Sequence, residues 1–288
     1  MRRLITSILL SGAISLQLQA EVIRVSASDL LSDFIAEPLQ WDAEQRGEDF
    51  EIKGIGSVSA LERLRAGQAD LAIIAIPTDA AWPEGDFNVE PFAYDVAVVV
   101  VNNDNPLNEV TLSQLGGIFG GSENYNFTTW DQLGLRGWDR RGIKSMAAQN
   151  SDSVSLELFK HSVLMGGKLK SGVAMVKAVE VERLVESDSS AIAVLSSLPQ
   201  SEKIKPLMLS LATDKPAFGP TENNIHYGDY PIRLAFYLVY RSSDSEKLGG
   251  LLHSLYSDEV AQVLTGNHLF SLPDTVRRQF QTDLQFLK

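Results

Sequence analysis

The sequence predicts an α/β fold of mostly parallel sheets flanked by helices. Three observations carry the prediction. Helical patterns and short strands alternate along nearly the whole chain. The run LAIIAI at 71–76 is apolar on both faces, as a strand covered on two sides must be. The run YDVAVVVV at 94–101 is strand-sized and too short to span a bilayer.

The elements follow in order. Residues 23–26 read as a short strand. A helix follows with Leu30, Leu31, Phe34 and Ile35 on its apolar face, and Asp29 stands where a cap is expected. Residues 50–54 alternate as a second strand. The next helix contains Ser59-Ala60-Leu61-Glu62, which fits a capping box, and Gly67 fits its C-terminal stop. Residues 71–76 form a third strand and 77–89 a polar loop. Residues 94–102 read as one apolar strand before the turn cluster Asn103-Asp104-Asn105-Pro106. Thr111 is placed to cap a helix over 112–119 that ends at Gly120-Gly121. Residues 123–138 are loop-like and 143–147 a strand. A helix over 152–164 turns Val154, Leu158 and Phe159 inward, and 173–186 reads as a further helix. Residues 191–195 and 232–240 are strands. The final amphipathic helical region covers 246–264, closed by Gly266.

Residues 1–20 read as a cleavable secretory signal. Arg2 and Arg3 form its basic start, 4–18 its apolar stretch, and Leu18-Gln19-Ala20 its cleavage site. A membrane anchor is the alternative, but Thr6, Ser7, Ser11, Ser15 and Gln17 interrupt the run. The expected location is the periplasm. About 268 residues remain, enough for one large or two medium domains of about 100–200 residues each. There is no cysteine, which closes disulfide, thiolate-metal and Cys-anchored lipoprotein readings. His161, His226, His253 and His268 lack ligand-like spacing, so no metal or other cofactor is expected. A net charge of −12 argues against nucleic acid and anionic membrane surfaces as partners.

One stretch carries chemistry. In FEIKGIGSVSALERLRAGQADLAIIAIP (50–77) a strand runs through Gly-Ile-Gly-Ser into a helix, then through Gly-x-x-Asp into a strand. Backbone N–H groups and hydroxyls at the helix start form a receptor for an anionic or strongly polar group. No Ser-His-Asp ordering, metal motif, Cys nucleophile or Walker loop accompanies it, so binding rather than catalysis is expected.

Five segments, in order, resemble the PstS-like phosphate-binding proteins that serve bacterial ABC transporters. They are GIGSVSALERLRAGQADLAI (54–73), PFAYDVAVVVVNNDNPLNEVTLSQLGGIFGG (91–121), TTWDQLG (128–134), YPIRLAFYLVY (230–240) and SDEVAQVLTGNHLFSLPD (257–274). The resemblance implies a two-lobe periplasmic-binding-protein clamshell (type 2). Lobe 1 would comprise 21–94 plus 231–288, and lobe 2 would comprise 95–230. The chain would cross near 92–95 and return near 230–235, with ligand in the cleft and hinge closure around it.

The same resemblance assigns candidate ligand-binding residues. Ser28 and Asp29 stand in the first loop, Asp29 where the family has a Thr. Gly56 and Ser57 stand in the second. Ala75 occupies the place of the Asp that accepts a hydrogenphosphate proton. Gln149 occupies the place of an Arg, and Ser153-Val154-Ser155 the place of Ser-Gly-Thr. Trp130 and Tyr94 are read either as core or as cleft lining, and Arg233 either as an ion pair or as a ligand contact. The implied function is solute binding for an ABC-type uptake system, with a small oxyanion or related polar ligand and permease subunits as partners, the chain acting as a monomer. The alternative is a degenerate binding or signalling module that does not serve phosphate transport.

Overall fold

A computed structural model describes residues 22–77, 80–121, 125–135, 137–138, 141–149 and 153–285. The expected signal, and Asp152 at the expected start of a helix, lie outside the described residues. No described helix is long and apolar enough to cross a membrane.

Two sheets organise the chain. The first contains β1 (Ile23–Ala27), β2 (Phe50–Gly54), β3 (Leu71–Ile76), β4 (Phe87–Val96), β12 (Arg233–Arg241) and β13 (Phe270–Ser271), in the order β13-β4-β12-β3-β1-β2. The second contains β5 (Val98–Asn102), β7 (Lys144–Gln149), β8 (Ala174–Lys177), β9 (Ala191–Leu195) and β10 (Ile204–Pro206), in the order β10-β5-β9-β7-β8. A two-stranded ribbon pairs β6 (Glu109–Thr111) with β11 (Met208–Ser210). The β6–β11 ribbon is parallel, and within the two sheets the parallel pairs are those of β2-β1-β3 and β8-β7-β9. The strands that carry the chain from one sheet to the other, β4, β5 and β12, pair antiparallel with their neighbours, so each sheet is mixed. Helix-linked units give the parallel pairs; the direct passes between sheets give the antiparallel ones.

The helices are α1 (Ser32–Arg46), α2 (Ser57–Arg65), α3 (Leu112–Phe119), α4 (Ser155–Leu164), α5 (Ala178–Ser187), α6 (Glu222–Tyr227), α7 (Ser245–Leu255), α8 (Asp258–Gly266) and α9 (Asp274–Gln285). The expected α3 is observed, with Thr111 and Gln114 making a reciprocal capping box. Other expectations are corrected. The 94–102 run is two strands on two sheets, broken at Ala97. The start of the 173–186 helix is the edge strand β8, and the 246–264 region is two helices parted at Tyr256-Ser257. α2 begins at Ser57, two residues before the expected capping box, with Gly56 as its N-cap.

The core follows from the apolar runs. Val98 to Val101 are fully buried, since β5 is covered on both faces. The Asn-Pro turn after β5 has its own task. Asn102 donates through Nδ2 to the carbonyls of Val185 and Glu186, and Asn105 does the same to Ser189. These bonds satisfy carbonyls at and beyond the C-terminal end of α5, which the helix leaves without intrahelical partners. At the first crossing, Ala97 donates its N–H to the Ile232 carbonyl at 3.1 Å and accepts from the Tyr230 hydroxyl at 2.9 Å.

Candidate functional site

The loops at the C-terminal ends of β1, β2 and β3 gather the first group of candidates. Gly56 has φ +80° and ψ 152°, a region open in practice only to glycine. That conformation turns the chain from β2 into α2. Ser57, the first residue of α2, accepts the Ala75 N–H on its hydroxyl at 2.9 Å, which ties the helix start to the end of β3. Ser28 is 2% exposed. Its N–H donates to the Ile73 carbonyl and its hydroxyl accepts from Leu30 N at 3.4 Å, so it is held within the turn before α1. Asp29 is exposed and does not cap α1, whose N-cap is Leu31 with no side-chain cap bond. The reading of Asp29 as a cap is therefore corrected: the turn at 29–31 leaves it two residues upstream of the N-cap.

The second group lies at the ends of β7 and α4. Gln149 closes β7 and is exposed. Ser155, the first residue of α4, is buried, and its N–H donates to the Ser153 hydroxyl at 3.0 Å. The Ser153 hydroxyl in turn donates to both carboxylate oxygens of Asp95, at 3.1 and 3.2 Å. The Val154 N–H donates to Asp95 Oδ2 at 3.0 Å. Among the described residues no hydrogen bond links the Ser28–Ser57 group to the Ser153–Ser155 group.

Asp95 is the residue that sequence reasoning missed. Its signal is a lone charge inside the apolar run PFAYDVAVVVV. One other open reading resolves, and the partners of two more residues are defined. Trp130 is fully buried and donates from its indole to the Ser190 carbonyl, so it is core. Tyr94 is buried, with its hydroxyl 2.9 Å from His226 Nδ1. Arg233 caps the end of α6, donating to the carbonyls of Ile225 and His226, and lies 5.2 Å from the centre of the Tyr94 ring. A cavity of about 730 Å³ lies beside it, between the ends of β3 and β12 and the flank of α4, lined among others by Pro77, Leu158, Lys160 and His161.

The PBP superfamily domain matches residues 18–259. The chain belongs to the PBP superfamily. Within it the chain is PstS-like: it is 23% identical over 245 residues to the phosphate-binding protein PstS of Pseudomonas aeruginosa, covering 79% of this chain and 76% of that protein. Two solved structures share the two-lobe fold. One is PstS from Borrelia burgdorferi, with TM-score 0.67, 15% identity, and coverage of 88% of this chain and 99% of that one. The other is an ABC-type phosphate transport receptor from Vibrio cholerae, with TM-score 0.59, 20% identity, and coverage of 87% and 100%.

In this PBP-superfamily chain the electrostatics centre on Asp95. Burial pushes its carboxyl up to about 6, against the opposing hydrogen bonds from Val154 N, Ser153 Oγ and Val96 N. The folded state binds this proton more readily than the unfolded chain, so the folded state is favoured most when the group is protonated. That advantage fades as pH rises from about 4 to about 6, and above that range the buried charge costs on the order of 2–3 kcal/mol. Asp95→Asn removes the titration. Relative to wild type it should gain stability between pH 4.5 and pH 8, measured by urea unfolding at both values. An unchanged difference between the two proteins would mean that Asp95 does not titrate in this window.

Proposed function

We propose that the protein is a periplasmic solute-binding component of an ABC-type uptake system. It would hold a small oxyanion or related polar ligand between a lobe built on the first sheet and a lobe built on the second, with the expected lobe boundary at 94/95 shifted to the crossing at Ala97. The observation that carries this reading is the pair of helix starts at Ser57 and Ser155, each following the C-terminal end of a parallel strand, β2 or β7. In open α/β sheets, ligands bind outside those strand ends, and helix N-termini offer the N–H groups. The names of the similar proteins, a phosphate-binding protein and an ABC-type phosphate transport receptor, support the transport role.

Phosphate itself is expected to bind weakly. Ala75 offers no acceptor for a hydrogenphosphate proton, and Gln149 replaces a charge-assisted donor worth about 1.5–3 kcal/mol. A thermal-shift panel of inorganic phosphate, sulfate, polyols and amino acids tests the reading. A solute present at about 100 times its Kd should stabilise the native protein by about 2.7 kcal/mol, and Ser57→Ala should weaken the response. A ligand indifferent to Ser57→Ala would remove the cleft from the argument. Sub-micromolar phosphate affinity by calorimetry would contradict the expected weakness.

A further inference from the structure

Three donors at the start of α4 are already committed. Val154 N–H and the Ser153 hydroxyl both bind the Asp95 carboxylate, and Ser155 N–H binds the Ser153 oxygen. Asp95 is 1% exposed and comes from β4, a strand of the first sheet, whereas α4 follows β7 of the second. A carboxylate at the N-terminal end of a helix enjoys the same field and the same N–H groups that an incoming oxyanion would use. An anion arriving there would have to displace an internal carboxylate, or sit beside it and be repelled.

We propose that Asp95 sets the ligand class of the cleft: its carboxylate takes the place of an anion at α4, so the protein discriminates against hydrogenphosphate and similar dianions. The solute it accepts carries no negative charge at the end facing α4. This inference rests on the cleft reading above and narrows it.

Calorimetric titration of inorganic phosphate into the purified protein tests it. Asp95→Ala frees both donors and removes the repelling charge. It should bind phosphate at least about tenfold more tightly than wild type, and adding Ser153→Ala should take most of that gain away. Asp95→Asn keeps the shape and loses the charge, so it should show a smaller gain; it carries the test alone if the alanine variant does not fold by circular dichroism. The ¹⁵N-amide signal of Val154 should move on phosphate addition in the variant and stay in place in wild type. Equal phosphate affinity in wild type and variants, or no binding by any of them, overturns the role of Asp95. The cleft reading fails separately, and takes this inference with it, if the gain in Asp95→Ala persists when Ser57→Ala and Ser153→Ala are both added.

Discussion

Trp130→Ala is expected to cost about 3–5 kcal/mol of stability. The indole is fully buried, opens the short 3-10 turn Trp130–Leu133, and meets Trp138 edge-on at 6.2 Å between ring centres. Truncation would leave a large void beneath that turn. It would also leave the Ser190 carbonyl without the indole donor that reaches it at 3.2 Å. Chemical denaturation at neutral pH measures the loss. Trp130→Phe should cost clearly less, because most of the packed volume is kept. A loss for the alanine variant below about 1.5 kcal/mol would show that the surroundings collapse into the space.

The second large effect belongs to Asp70, the acid of the Gly-x-x-Asp corner. It stands at the entry to β3, where its carboxylate accepts from Arg24 N at 2.8 Å, Arg24 Nε and Nη2 at 3.1 Å, and Lys247 Nζ at 3.2 Å. One buried side chain thus joins β1, β3 and α7. Burial opposes its ionisation, but the hydrogen bonds from Arg24 and Lys247 outweigh that and hold the carboxyl at about 2. The folded-state value lies below the unfolded one, so the stabilisation is full above about pH 4 and is lost as pH falls through about 2. Asp70→Asn is expected to cost about 2–3 kcal/mol at pH 7, and the gap between the variant and wild type should close towards pH 2. Urea titrations at pH 7 and pH 3 read the change. A gap that stays constant would place the cost in packing rather than charge.

Much of the fold was legible because local patterns agreed with the final structure. The expected bounds of β2, β3, β9 and α3 match those observed: Asp49 and Gly54 mark β2, Asp70 and Pro77 flank β3, serines flank β9, and Thr111 and Gly120 cap α3. The break at Ala97 was not legible. An alanine in a run of valines carries no turn signal, and what divides the run is pairing with strands more than 90 residues downstream. β8 departs from the expected helix because Ala-Met-Val-Lys suits a helix locally and lies on an exposed edge. The candidate site divides the same way. Gly56 and Ser57 could be read from the motif, since glycine at that turn is a backbone requirement. Asp95 could not be given a role, because its partner loop lies 58 positions away in sequence. Asp29 looked like a cap from position alone, but the observed turn puts Leu31 at the N-cap instead.

The crossing at Ala97 limits how the two halves can rearrange. One residue spans about 3.8 Å between neighbouring Cα atoms, so the linkage has almost no slack for sliding. Both of its backbone groups are engaged by the returning segment, through Tyr230 and Ile232. The two passes of the chain therefore form a short, stitched strap. Such a strap can twist or bend as a unit, but it resists being drawn out, and this confines relative movement to rotation about an axis near its own position.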